Sequence, residues 1–307
     1  MKKLLSIILA LTFMFVLTAC SEMPVTSDIS SDNTFVYTKE TFDEKYEAII
    51  YTDIGEFEFE DIKHINTKEI FCEPSEEFEN SELKTIDYDG QTYNVKPAFF
   101  SDSYYEYPYD HVAKRYHVTD GNSNIDNFFV DEFGDVIRIE FDSSENSGNK
   151  ISEEEQLAIA TEYAKKYVDT GVYKYDYMHK KNASGNTYVF SKFSGDCRTN
   201  ESLAITFDYN YDTIAFIKHL YKDRFDNNTA EKFKSIPALY NYGKQLLTDT
   251  FKDTNIEITG YDEQAIISGY KNQDVLLIMC SVKLDTTTSS DSHMYSYGYG
   301  GIIILPK

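Results

Sequence analysis

Residues 152–171 read SEEEQLAIATEYAKKYVDTG, a helix with both ends marked. Ser152 followed three residues later by Glu155 is a capping box, in which serine hydroxyl and glutamate carboxylate each satisfy a backbone N–H of the first turn. Leu157, Ala160, Ala164, Tyr167 and Val168 recur on one helical face, and Gly171 sits just past the end, where a left-handed residue stops a helix. Three β-rich runs follow: VYKYDYMH (172–179), NTYVFSKF (186–193) and SLAITFDYNYDTIAFIKHLY (202–221), the last divided by a polar turn, DYNYDT.

The same order recurs downstream. Ser235 and Pro237 open a second helix, with Ile236, Leu239, Tyr240, Gly243, Leu246, Leu247 and Phe251 as its apolar stripe. NIEITGY, EQAIISGY, DVLLIMCSVKL and GGIIILPK then read as strands. Upstream, QTYNVKPAFF, KRYHVT and NFFVDEFGDVIRIEF are strands, closed by the Ser/Gly/Asn-rich break SSENSGNK. Helices followed by successive hairpins predict an α+β protein: helix-on-antiparallel-sheet units in tandem, preceded by a β-rich N-terminal region. The expected divisions are a leader at 1–19, a tether at 20–36, a β-rich domain at 37–145, and α+β units at 146–225 and 226–307.

The run ISEEEQLAIA, its strands and FDYNYDTI resemble a PepSY-type, cystatin-like module. That family packs a helix on an antiparallel sheet and occurs in peptidase propeptides and bacterial envelope proteins. Its closing hairpin often has Asp, three residues, Gly, one residue, then an aliphatic. Asp208 and Ile214 match, whereas Asp212 stands where Gly is usual; Asp131, Gly134 and Val136 repeat the pattern one residue shorter. The resemblance implies a binding or peptidase-regulating role rather than catalysis.

The N-terminus carries an address. Lys2 and Lys3 precede an apolar run from Leu4 to Val16, too short to span a bilayer. Leu17-Thr18-Ala19-Cys20 resembles the lipobox of bacterial lipoprotein precursors, which implies acylation of Cys20, cleavage before it, and anchoring at the extracytoplasmic face of the membrane. Two acyl chains hold stably, since each buried methylene contributes about 0.8 kcal/mol. The polar stretch Ser21 to Thr34 then reads as a flexible tether with an r.m.s. reach of roughly 20 Å.

Bulk properties narrow the partners. Hydrophobic residues make up 41% of the chain, with 26 Tyr and 21 Phe, enough for a packed core. The first nineteen residues hold two of the 29 Lys and Arg and none of the 52 acids, so the remainder carries −25. Such a charge repels nucleic acid and anionic lipid headgroups and attracts a basic partner.

Chemistry-bearing motifs are few. His64, His111, His117, His179, His219 and His293 form no HExxH or i,i+4 pair. Asp208, Asn210 and Asp212 imitate half a calcium loop, but Thr213 replaces the required Gly and His219 the closing Glu, so a turn is expected. Cys72, Cys197 and Cys280 show no metal-ligand spacing. Cys280 reads as a core residue, and a Cys72–Cys197 bridge is conceivable. No catalytic residue, cofactor or metal is assigned.

The densest local feature is SDSYYEYPYDH, where Tyr104, Tyr105, Tyr107 and Tyr109 crowd around Pro108. Tyrosine joins a large apolar face to a polar tip and suits a binding surface. MYSYGYGG, placed before the last strand, has the same character. The favoured expectation is a non-catalytic envelope lipoprotein that binds or regulates an envelope or secreted protein. The alternatives are a hydrolase of wall or extracellular polymers working through paired carboxylates, and a solute- or glycan-binding lipoprotein.

Overall fold

The computed structural model describes residues 35–54, 63–66, 75–98, 112–121, 123–142, 149–181, 185–208, 211–220, 224–287 and 293–307. Four α-helices occur among them: α1 (Lys39–Asp43), α2 (Glu76–Asn80), α3 (Glu153–Tyr167) and α4 (Ile236–Phe251). The strands are β1 (Tyr46–Thr52), β2 (Lys63–Asn66), β3 (Thr85–Tyr88), β4 (Gln91–Pro97), β5 (Ala113–Val118), β6 (Ile125–Asp131) and β7 (Val136–Phe141). After α3 come β8 (Tyr173–Lys181), β9 (Gly185–Ser194), β10 (Cys197–Phe207) and β11 (Ile214–Leu220); after α4 come β12 (Ile256–Tyr261), β13 (Ile266–Tyr270), β14 (Gln273–Thr287) and β15 (His293–Pro306). No helix among the described residues is long and apolar enough to cross a membrane.

The two long helices form where their patterns place them. Ser152 Oγ accepts from Glu155 N at 3.2 Å and Glu155 Oε2 accepts from Ser152 N at 2.8 Å, closing the capping box of α3. Ala160 and Ala164 are fully buried against Leu203, Ile205, Phe207 and Ile217, with Leu157, Tyr167 and Val168 packed around them. On α4, Leu239, Gly243, Leu247 and Phe251 are buried. Gly243 lets the helix lie close to the sheet: a Cβ there would overlap Ile278 Cδ1 and stand 3.3 Å from Ile302 Cγ2. Tyr37, Phe42, Tyr46 and Tyr242 hold α1 against α4; Phe42 and Tyr242 stack at 4.5 Å, and Tyr37 Oη donates to Lys234 O at 2.6 Å.

The expectation of tandem helix-on-antiparallel-sheet units is corrected by the strand pairing. All fifteen strands belong to one connected mixed sheet, ordered β2-β1-β15-β14-β13-β10-β11-β7-β6-β5-β4-β3, with β12 added on β14 and β8 joined through β9 to β10. Three junctions make the sheet continuous. β11 pairs antiparallel with β7 (Phe216↔Glu140, Ile217↔Ile139, Lys218↔Arg138). β10 meets β13 in parallel at Thr199↔Ile267. β1 pairs antiparallel with β15 over its whole length, from Tyr46↔Pro306 to Thr52↔Gly300. A hairpin's outer strand leaves unpaired N–H and C=O groups, and joining a neighbouring edge satisfies them. The helices are therefore decorations on a shared sheet.

Around the β10–β13 junction, Asn200 Nδ2 donates to Ser268 Oγ at 3.0 Å and Cys197 Sγ contacts Ala265 O at 3.6 Å. β13 turns into β14 through Lys271 and Asn272, both left-handed (φ 48° and 63°), as a two-residue turn matched to strand twist requires.

Candidate functional site

Cys20 and Tyr104, Tyr105, Tyr107 and Tyr109 lie outside the described residues, as do His111 and Cys72. Cys197 and Cys280 are free, buried thiols, each pushed up to about 12 chiefly by burial. The acidic turns are turns: Asp131 Oδ1 accepts from Phe133 N at 3.0 Å and Asp135 N at 2.8 Å, and Asp208 N donates to Thr213 O at 2.9 Å. Among the described residues no three His, Cys, Asp or Glu side chains converge as metal ligands.

Among the described residues, three exposed tyrosines stand in a row on β15. MYSYGYGG is part of that strand rather than preceding it. Tyr297 and Tyr299 are 72% and 68% exposed, and Tyr295 is half exposed. Successive side chains on a strand alternate in direction, so these three share one face. That face continues into the buried cluster of Ile49, Tyr51, Leu277 and Ile303. Across from the tyrosines, β14 presents Asp285, Lys283 and Ser281. Lys283 Nζ sits 3.9 Å from the Tyr295 ring centroid and 3.5 Å from Glu257 Oε2.

The glycines of this stretch make room for β1. A Cβ at Gly298 would overlap the Asp53 side chain, and one at Gly301 would overlap Ile278 O and Tyr51 Oη. Asp53 then clamps the strand: Tyr299 N donates to Asp53 Oδ1 at 2.7 Å, and Asp53 N donates to Tyr299 O at 3.0 Å. The result is a rigid, twisted platform with aromatic rings on one side. It offers large apolar contact area with hydroxyl tips at a small entropic cost, which suits recognition of another surface.

Two polar constellations lie elsewhere, both assembled from residues far apart in the chain. Glu201 is fully buried and accepts from Lys192 Nζ at 3.0 and 3.1 Å, from Phe225 N at 3.0 Å and from Tyr173 Oη, whose oxygen is also 3.2 Å from His219 Nε2. Fully enclosed, it fastens the 224–233 connection to β10. Beside it, Arg224, Lys232, Asn272, Gln273, Asp274 and Pro306 line an open cavity of about 450 Å³. Lys232 pairs closely with Asp274, and Arg224 Nε lies 3.8 Å from the same carboxylate, so two cations share one acid.

Lys218 is a further residue no motif marked. It stands on β11 opposite Arg138, 7% exposed, and burial lowers its ammonium from the usual 10.5 to about 7. The unfolded chain binds this proton up to about pH 10.5, whereas the folded chain releases it near 7. Stability must therefore rise with pH between those values, by about 1.4 kcal/mol per pH unit at most. Lys218→Met is expected to remove that slope and to stabilise the fold at pH 7 and below by about 1–3 kcal/mol. Urea unfolding at pH 6.5 and 9 checks both, and equal pH slopes in the two proteins would exclude the burial argument.

No family model matches the chain, and no curated protein matches it. Among solved structures, the Bacillus megaterium YpeB C-terminal domain is similar over 67% of this chain and 88% of that one, at 11% identity and a TM-score of 0.32. A likeness at that level carries no functional argument.

Proposed function

We propose that the chain is a lipid-anchored, non-catalytic protein of the extracytoplasmic membrane face, held through Cys20, whose folded part binds a protein partner, in the finer form an envelope or secreted peptidase that it regulates. The observation that carries the binding reading is the row Tyr295, Tyr297 and Tyr299: exposed rings fixed on a paired strand, where buried packing does not explain them. The anchor rests on the resemblance of Leu17 to Cys20 to a lipobox, and the partner class on the module resemblance of residues 151–214.

Two experiments test the two halves. Cys20→Ser is expected to move the protein from the membrane fraction to the soluble fraction; retention on membranes would exclude the lipid anchor. Photo-crosslinking from position 297 in intact cells identifies the partner. With that partner purified, Tyr297→Ala/Tyr299→Ala is expected to weaken binding about 10- to 100-fold, as for interface aromatics. Unchanged affinity, or crosslinking to polysaccharide alone, would overturn the protein-binding reading.

A further inference from the structure

We infer that the open cavity between the 224–232 connection and the start of β14 binds a small ligand through an anionic oxygen group, a phosphate or a carboxylate. Its wall brings together Arg224 and Lys232 from the connection, Asn272 from the β13–β14 turn, Gln273 and Asp274 from the start of β14, and Pro306 from the end of β15. Asp274 is the one acid among these lining residues, so two cations against one carboxylate leave the wall positive in a chain of net charge −23. Charges more than about 8 Å away are largely screened at physiological salt, so the acidic remainder of the surface does not cancel this local excess.

The three charged side chains differ in depth. Asp274 is 15% exposed, Arg224 28% and Lys232 56%. The carboxylate is thus the deepest of the three and holds both cations, and the more exposed charges are the positive ones. An ammonium has three N–H donors, and Asp274 takes one from Lys232. The exposed amide side chains of Asn272 and Gln273 add neutral donors to the same wall. Charge-assisted bonds from a cation suit phosphate and carboxylate oxygens, and neutral donors complete their shell. At about 450 Å³ the cavity exceeds what the anion alone fills and matches the size of small-molecule sites. Pro306 and Tyr299 lie on one strand, roughly 24 Å apart at about 3.4 Å per residue. The cavity is therefore a separate site from the tyrosine row and does not rest on the reading above.

The test titrates the full chain with inorganic phosphate and, separately, with acetate, with chloride adjusted to hold ionic strength constant. The side-chain amide resonances of Asn272 and Gln273 are expected to shift saturably with at least one of the two anions. Saturation by phosphate assigns phosphate esters as the ligand class, and saturation by acetate alone assigns carboxylates. Lys232→Gln is expected to weaken that binding about tenfold or more, whereas Lys232→Arg retains it. The Lys232 side chain is more than half exposed, so neither substitution empties a core position. Lys252→Gln removes the same charge at the exposed end of α4 and is expected to bind as the unaltered chain does. No saturable shift with either anion would overturn the inference. Equal weakening by Lys232→Gln and Lys252→Gln would also overturn it, since the response would then be a diffuse one to net charge.

Discussion

Glu201→Ala is expected to destabilise the protein by about 3–5 kcal/mol, because it leaves a largely buried ammonium without its counter-charge. Lys192 is only 13% exposed in its side chain and Glu201 is fully enclosed, so water cannot replace the lost carboxylate. The same substitution strands the Phe225 N–H, adding the penalty of an unsatisfied buried donor. Denaturant unfolding of Glu201→Ala, Lys192→Met and the double variant forms a cycle. The double variant should recover part of the loss, since an apolar pair tolerates burial better than one orphaned charge. If the double variant loses the sum of the two single losses, the two groups are not coupled and the buried pair is not what fixes the 224–233 connection.

Gly185→Ala comes next, at about 3–5 kcal/mol. Gly185 opens β9 at φ +96°, where an L side chain is strained whatever the space. The added Cβ would also overlap the carbonyl oxygen of Phe207 and lie 3.2 Å from the carbonyl carbon of Asp208. These are backbone atoms at the end of β10, so no rotamer change relieves the clash. Gly195, at φ +57° in the β9–β10 turn, has nothing within 4 Å of a Cβ, and Gly195→Ala should cost only about 1 kcal/mol. Thermal unfolding of the pair separates the two effects, at about 2–4 °C per kcal/mol for a chain of this size. Equal shifts for both variants would mean that the approach of β9 to Phe207 is not as close as the structure has it.

Much of the local structure was legible from sequence because local physics decided it. The capping box at Ser152 and Glu155, the alanine face of α3 and the stripe of α4 are short-range patterns, and they fold where they read. The joining of sheets was not legible. Pairs such as Phe216↔Glu140 and Thr199↔Ile267 bring together segments whose alternation is equally good for a separate hairpin edge. Which edge a strand meets depends on how many other edges remain open, and no single segment encodes that. Tyr297 and Tyr299 were visible as a tyrosine-rich stretch, but that stretch, interrupted by Gly298, Gly300 and Gly301, was placed before the last strand rather than within it. Those glycines are there because β1 crosses close by. Glu201, Lys192, Tyr173 and Phe225 share no motif spacing, since a folded sheet rather than a turn assembles them.

The pairing of β1 with β15 also sets an order of events. Asp53 and Tyr299 are 246 positions apart, and a chain synthesised from its N-terminus exposes β1 long before residues 300–306 exist. Ile49, Ile50 and Tyr51 must wait for that partner, so β1 emerges early and is seated late. Closure over such a span is slow, because loop entropy is lost before the contacts form. A chain halted before Gly300 would present a bare apolar strand to chaperones and proteases. Arrival of residues 300–306 is thus what allows β1 to be seated in the sheet.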